Sequence, residues 1–388
     1  MRNYRYVPVT VLVAAMLLTG VGTYTYLGAH QSVVRKQPKA PTQVSPRPPA
    51  SLLTGTLYLA QAGSLYSLSG GQFQQLTASG GWMQPAILAT GSDLIAVKRD
   101  GYFADLYHLG TDGHIIAKLT SNAAPNRFSD IGANHWSFYP TLSPDGKTVF
   151  MSYDSSKAAD YEVDLAVWQM PLGGTRSQWR QWTFPNYYTG GDVQPVPLAS
   201  GGLLYVKYDQ DTDGKKASQI WFKPQRVGSA TALTTLDADC SEPSLSPDGH
   251  TLAMICSNKQ QFSHLVLADF NGTGIGPLRT VVTDQLVAQP AWAPDGSGIA
   301  FLAPTQPDQP FQLWWLPKAG YAAPTPTPTP TATASPTASP SPGRKGTPTP
   351  TRKPSPSPKP SPTPIPVTPI QVTSDLGFDA SSPIAWHS

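Results

Sequence analysis

At 388 residues the chain is long enough for one large domain or two ordinary ones. A formal net charge of +3 with only 13% charged residues argues against the clustered basic surface of a nucleic-acid-binding domain, so no nucleic-acid partner is expected. Proline is the anomaly at 42 residues, and much of it falls in one tract near the C-terminus, leaving ordinary globular sequence elsewhere.

The chain opens Met-Arg-Asn-Tyr-Arg and then runs uncharged from Val7 to Ala29. As a helix this run would measure roughly 34 Å, enough to cross a bilayer and longer than the about 7–15 residues of a signal-peptide core. Leu27-Gly28-Ala29 is a mediocre cleavage site, so residues 1–30 are expected to be an uncleaved membrane anchor, with a cleaved signal as the alternative. No cysteine lies near it, which excludes a lipoprotein anchor. Arg2 and Arg5 favour a cytoplasmic N-terminus, while Arg35, Lys36 and Lys39 beyond the span oppose it. Two cysteines in the globular part decide for an extracytoplasmic location, because paired thiols persist in oxidising compartments. Residues 31–53, proline-rich and basic, read as a short stalk.

From residue 54 onward the sequence repeats. Three predicted strands, Leu57–Gln61, Ser64–Leu68 and Phe73–Thr77, come first. Five segments then share a pattern of a residue, Pro, a short hydrophobic step, a turn and an apolar strand. They begin at Gln84-Pro85, Tyr139-Pro140, Gln194-Pro195, Glu242-Pro243 and Gln289-Pro290. The turn is Ser-Pro-Asp-Gly at 143–146 and 246–249 and Ala-Pro-Asp-Gly at 293–296. There Pro presets φ, Asp bonds its own backbone and Gly accepts a positive φ. Each repeat Pro lies nine positions before the first apolar residue of the next strand, and successive repeat prolines are 55, 55, 48 and 47 residues apart. A third and a fourth strand follow in each unit, the fourth predicted at Ile115–Thr120, Gln181–Phe184, Ala232–Leu236, Leu278–Thr283 and Ile370–Thr373. Four strands per unit at this interval is the pattern of propeller blades.

The last blade is interrupted by Pro324–Pro369, an alternation of Pro with Thr and Ser that cannot bury a core and is expected to be a disordered, extended polyproline II insertion. With the tract removed, the interval from Pro290 to Pro383 matches the 47-residue spacing before it. The final residues, Asp379–Ser388, supply an inner strand with nothing after it, and the three strands at the start lack one. Together they make a sixth blade that closes the ring and removes both open edges. The fold class is therefore all-β, a six-bladed propeller of four-stranded antiparallel blades spanning residues 54–388. The Pro-x-Trp/Leu-Ser-Pro-Asp-Gly pattern at 140–146, 243–249 and 290–296 resembles the TolB-like six-bladed propellers. The same repeats occur in the non-catalytic propellers of prolyl-oligopeptidase-like enzymes, but this chain has no Gly-x-Ser-x-Gly elbow.

Ligands are expected at the face made by the inter-blade connections and the loops between second and third strands, since loops on a rigid scaffold carry recognition. The unusual residues there are Trp82, Arg127, Asp130, His135, Trp136, Tyr187, Tyr188, Asp192, Asp237, Asp239, Glu242, Phe378 and Asp379. Asp209, Asp211 and Asp213 before Gly214 match the first half of a calcium loop, but the twelfth position is Ile220, so a polar hairpin loop competes with a metal site. No other cofactor is indicated. Cys240 and Cys256 flank the 246–249 turn about residue 248 and should face each other on adjacent strands, placed for one disulfide. No His-Glu-x-x-His, Gly-rich phosphate loop or clustered Cys/His spacing occurs. The expectation is a membrane-anchored, non-enzymatic binding module for a protein or cell-envelope partner. The alternative is an extracytoplasmic propeller lyase or hydrolase acting on carbohydrate or peptide.

Overall fold

The computed structural model describes residues 53–129, 131–154, 163–258, 262–283, 285–321 and 368–388. The predicted anchor, all but the last residue of the stalk and almost all of the proline tract lie outside the described residues. Among the described residues no helix is long and apolar enough to cross a membrane.

Among the described residues twenty-four strands form six four-stranded antiparallel sheets arranged as blades. Blade 1 starts with β1 (Thr56–Gln61), β2 (Ser64–Ser69) and β3 (Gln72–Gln75). Blade 2 is β4 (Trp82–Ile87), β5 (Asp93–Arg99), β6 (Ala104–Gly110) and β7 (Ile115–Lys118). Blade 3 is β8 (Ser137–Leu142), β9 (Thr148–Tyr153), β10 (Ala166–Pro171) and β11 (Arg180–Gln181). Blade 4 is β12 (Asp192–Pro197), β13 (Leu203–Gln210), β14 (Lys216–Lys223) and β15 (Thr231–Ala232). Blade 5 is β16 (Cys240–Leu245), β17 (Thr251–Cys256), β18 (His264–Asp269) and β19 (Arg279–Val282). Blade 6 is β20 (Ala288–Trp292), β21 (Gly298–Pro304), β22 (Phe311–Pro317) and β23 (Ile370–Gln371). The last strand, β24 (Ala385–His387), returns to blade 1 and pairs with β1 through Thr56↔His387, Leu57↔Trp386 and Tyr58↔Ala385. It is shorter than the predicted Asp379–Ser388, because the chain before it runs as a connection between blades.

The Pro-Asp-Gly turns work as their chemistry requires. Gly146, Gly249 and Gly296 hold φ of 70°, 75° and 69°. Asp145, Asp248 and Asp295 each accept a backbone N–H two residues on, from Lys147, His250 and Ser297. A β-bulge in the innermost strand of blades 2–6 sits at the residue–Pro pair of the repeat. The bulge shifts the register of blade 5 by one residue between its turn end, Leu245↔Leu252, and its far end, Cys240↔Cys256. A disulfide joins these two cysteines, whose Cα atoms are 4.1 Å apart.

Three outer strands, β11, β15 and β23, are only two residues long, against the four or five predicted. The reason is a threonine that replaces the ladder. The residue before it makes a last backbone bond to the third strand, as Leu119 N does to Leu106 O and Leu233 N to Ile220 O. The threonine hydroxyl then accepts the neighbouring third-strand N–H. Leu65 N donates to Thr77 Oγ1, Leu106 N to Thr120, Val167 N to Thr183, Ile220 N to Thr234 and Leu313 N to Thr373, each at 2.9 Å. The chain can thus leave the sheet edge without orphaning a buried donor.

Six apolar clusters hold the ring together, each centred on the junction of neighbouring blades. The cluster joining blades 6 and 1 packs Leu57 and Leu59 on Ala300, Leu302 and Leu313, with Ile384 and Trp386 added by the C-terminal segment. Trp386 also meets Trp315 edge-on at 5.7 Å and donates its Nε1–H to Thr54 O at 2.8 Å.

A chain ending at Leu376 loses β24 and these two side chains, whose burial is worth roughly 3–6 kcal/mol. Its melting temperature by circular dichroism should fall by at least about 6 °C. Unchanged melting and protease resistance would show that the ring closes without this segment. Replacing Thr234 by Val leaves the Ile220 N–H without its acceptor and should cost about 1–3 kcal/mol in urea denaturation, while Thr234→Ser, which keeps the hydroxyl, should cost less.

Candidate functional site

The residue before each repeat proline of blades 2–6 lies at the bulge, in the left-handed region. Gln84, Tyr139, Gln194, Glu242 and Gln289 have φ of 51°, 50°, 52°, 55° and 52°. In this conformation the backbone N–H of one blade meets the side chain of the preceding blade. Gln84 N donates to Ser382 Oγ at 2.7 Å, Tyr139 N to Gln84 Oε1 at 2.7 Å, Glu242 N to Gln194 Oε1 at 2.8 Å and Gln289 N to Glu242 Oε2 at 2.5 Å. Gln289 Nε2 continues to Ala380 O at 2.8 Å and returns the chain of bonds to blade 1. These residues form a polar belt around the central channel.

On the Pro-Asp-Gly-turn side of the belt the channel widens into a cavity of about 370 Å³. Its wall carries all six repeat prolines, Pro85, Pro140, Pro195, Pro243, Pro290 and Pro383. Among the described residues Glu242 is the one charged residue that lines it. Burial pushes the Glu242 carboxyl up to about 7, partly offset by the bond from Gln289 N–H. Burial likewise raises the Tyr139 and Tyr208 hydroxyls, with the negative field of Glu242 added in both, of Asp379 at Tyr139 and of Asp239 at Tyr208.

The predicted face residues divide by role. Trp82 is buried between blades 1 and 2, edge-on to Tyr107 at 5.3 Å, with Lys98 Nζ 5.1 Å from its ring. Phe378 is buried against Phe73. Asp192 is buried beside Lys207 Nζ at 3.3 Å, and its carboxyl is raised by desolvation. Asp239 ties three segments together by accepting from Ser218 N, Ser218 Oγ and Ser257 Oγ. His135 Nδ1 lies 3.2 Å from Asp154 Oδ1, which also accepts Trp136 N–H at 2.7 Å. Trp136 stacks on Phe138. Asp379 accepts Ser381 N–H and Oγ–H and donates its own N–H to Ala60 O. Asp237 is exposed, and Asp130 lies outside the described residues. Of the three loop aspartates at the β13–β14 hairpin, Asp211 accepts the N–H groups of Asp213 and Lys215, and Asp209 accepts Asn186 Nδ2. No group of three or more His, Cys, Asp or Glu side chains that could hold a metal ion occurs among the described residues.

Two of the predicted aromatic residues, Tyr187 and Tyr188, are presented outward beside two exposed phenylalanines. Phe128, Phe184, Tyr187 and Tyr188 are 66, 75, 63 and 66% exposed, on the connections that enter and leave blade 3. Arg127 covers the Phe128 ring at 4.6 Å, and Tyr102 meets the same ring edge-on. The Asp164 carboxylate accepts the N–H groups of Tyr188, Thr189 and Gly190 and so fixes the tyrosine-bearing loop. The belt residues Tyr139, Gln194 and Gln289 were also unforeseen as site residues. Their signal was available in the repeat, where the position before Pro is polar each time.

A closed ring of six blades around a polar-belted channel makes this chain a six-bladed β-propeller. No protein-family model and no curated protein matches the sequence. Solved structures match the fold, which is TolB-like. TolB from Acinetobacter baumannii superposes with a TM-score of 0.51 at 17% identity, over 68% of this chain and 61% of that one. A putative TolB from Agrobacterium tumefaciens gives 0.49 at 13% identity over 68% and 85%, and oligogalacturonate lyase from Vibrio parahaemolyticus gives 0.43 at 12% over 66% and 68%. The chain thus spans about three-fifths of the length of the Acinetobacter TolB, and the likeness is one of fold alone.

The Glu242 carboxyl holds its proton in the folded state up to about pH 7, against an ordinary value of 4.5. The folded state therefore binds the extra proton between these values, and stability falls as pH rises through the window, by up to about 3 kcal/mol from this group. Glu242→Gln keeps an acceptor for Gln289 N–H and should remove that fall. Relative to wild type, the variant should gain stability steadily from pH 4.5 to 7 in denaturant titrations. A constant difference across the window would show that Glu242 is ionised throughout.

Proposed function

We propose that this chain is a non-enzymatic binding module on the extracytoplasmic side of a membrane, held there by residues 7–29, and that it takes a protein partner on the face of its inter-blade connections. The observation that carries the reading is the placement of Phe128, Phe184, Tyr187 and Tyr188, all well exposed, on the two connections that flank blade 3. Exposed aromatics beside an arginine are the composition of interface hot spots, and apolar rings left in water favour burial against a partner. The loop that bears the tyrosines is braced by Asp164, so its order is set before binding and little entropy is lost on docking. The Cys240–Cys256 disulfide suits an oxidising compartment, and the TolB-like fold is compatible with that location.

A photo-crosslinker at Tyr187, in the full chain in its native membrane, should capture a discrete protein partner. With that partner purified, the double variant Tyr187→Ala/Tyr188→Ala should weaken binding at least about thirtyfold, as expected for the loss of a hot spot of ~2 kcal/mol. An unchanged dissociation constant would remove this face from the interface.

A further inference from the structure

The cavity on the opposite, Pro-Asp-Gly-turn side of the belt is independent of the aromatic connections and has a chemistry of its own. At about 370 Å³ it falls within the range of small-molecule sites and is far larger than a bare ion needs. Its wall is built from the six repeat prolines, with Ile87, Val196 and Ile384 among the apolar side chains beside them. Proline has no backbone N–H, so at six positions around the wall the main chain offers no donor to an anion. No Lys, Arg or His among the described residues lines the cavity.

At the belt end sits Glu242. Its Oε2 is engaged by Gln289 N–H, and its Oε1 has no hydrogen-bond partner among the described residues. No ion pair to it is found among them either. The titratable groups that act on this region are Tyr139, Tyr208, Asp239 and Asp379, all neutral or acidic. Tyr139, Thr141, Ser143, Gln194 and Ser244 add neutral hydroxyl and amide groups to the wall, and Glu242 is left without a cationic partner among the described lining residues.

We infer that the channel cavity binds a small organic ammonium ion, its nitrogen on Glu242 and its hydrocarbon body against the proline wall, entering from the Pro-Asp-Gly-turn side. A divalent metal fits less well, because such an ion seeks several carboxylate or carbonyl oxygens and Glu242 is the single carboxyl lining the cavity. Binding is coupled to protons. The ammonium requires the ionised carboxyl, and burial keeps Glu242 protonated up to about pH 7. Apparent affinity therefore follows the ionised fraction of this one group.

The test is calorimetric titration of the full chain in detergent micelles with cyclohexylammonium, which is cationic at both pH values used, and with cyclohexanol and calcium chloride as controls. Cyclohexylammonium should bind at pH 8, and its affinity should fall about thirtyfold at pH 5.5. Cyclohexanol should show no measurable binding. Glu242→Gln, with folding checked by its thermal melt, should lose at least tenfold in affinity. The two pH values on wild type carry the test if that variant fails to fold. Four results would overturn the assignment: no binding at pH 8, equal affinity at both pH values, equal affinity in a folded Glu242→Gln, or calcium binding that displaces the amine and is lost in the variant.

Discussion

Five residues held at positive φ, each followed by proline, set the geometry of the inner ring. A left-handed conformation costs an L-residue about 1–2 kcal/mol, and here it is imposed at the same place in five blades. What offsets it is directional. The bulge turns the backbone N–H out of its own sheet, and at the junctions of blades 2 and 3, 4 and 5, and 5 and 6 the donor finds the belt side chain of the preceding blade. A propeller has no continuous hydrogen-bonded ladder between blades; apart from isolated bonds such as Asp192 N to Leu165 O and Ala104 N to His135 O, contact there rests on apolar packing, which is non-directional. The belt supplies the register that packing alone leaves loose. Proline after the bulged residue suits the same purpose, since it brings no further donor into the channel.

The belt also explains why its residue types vary so little. The position needs an acceptor on a side chain long enough to reach the next blade. Glutamine and glutamate satisfy this at Gln84, Gln194 and Glu242, while Gln289 closes the belt the other way, donating its Nε2–H to Ala380 O. Tyr139 does not offer such an acceptor, and the step from blade 3 to blade 4 has no corresponding bond among the described residues. Ser382 is short, but it stands on the C-terminal segment that runs close to Gln84, and its hydroxyl serves. Structural demand and binding chemistry thus meet at one position. Glutamine would complete the belt as well as glutamate does, and the carboxylate at 242 adds a charge that the ring itself does not require.

The ring was legible in the sequence because its signals repeat. The proline spacing, the Pro-Asp-Gly turns and the orphan inner strand at the C-terminus each recur or complete one another, and together they fixed the blade number and the closure. The outer strands were overcalled because an apolar–Thr pair reads as strand when only pattern is considered. The side-chain bond that ends the ladder at Thr183 or Thr234 is invisible to hydrophobic alternation. Site residues were harder still. Asp192, Asp239 and Phe378 have the composition of a binding face, yet they are consumed by an ion pair, by a three-serine-bond knot and by a buried aromatic contact. Whether a polar or aromatic residue on a connection faces outward depends on partners from other blades, which no local pattern records. Tyr187 and Tyr188, by contrast, stand exposed on the connection that leaves blade 3.

The pairing of β24 with β1 has a consequence for synthesis. Residues 56–75 emerge first and form a three-stranded sheet with one side open, and the strand that covers that side is made some three hundred residues later. Contacts of such separation in sequence form slowly, and until they form the nascent ring is a row of blades with an uncovered first edge. The edge of the first blade therefore stays open until the last strand is made and pairs with β1.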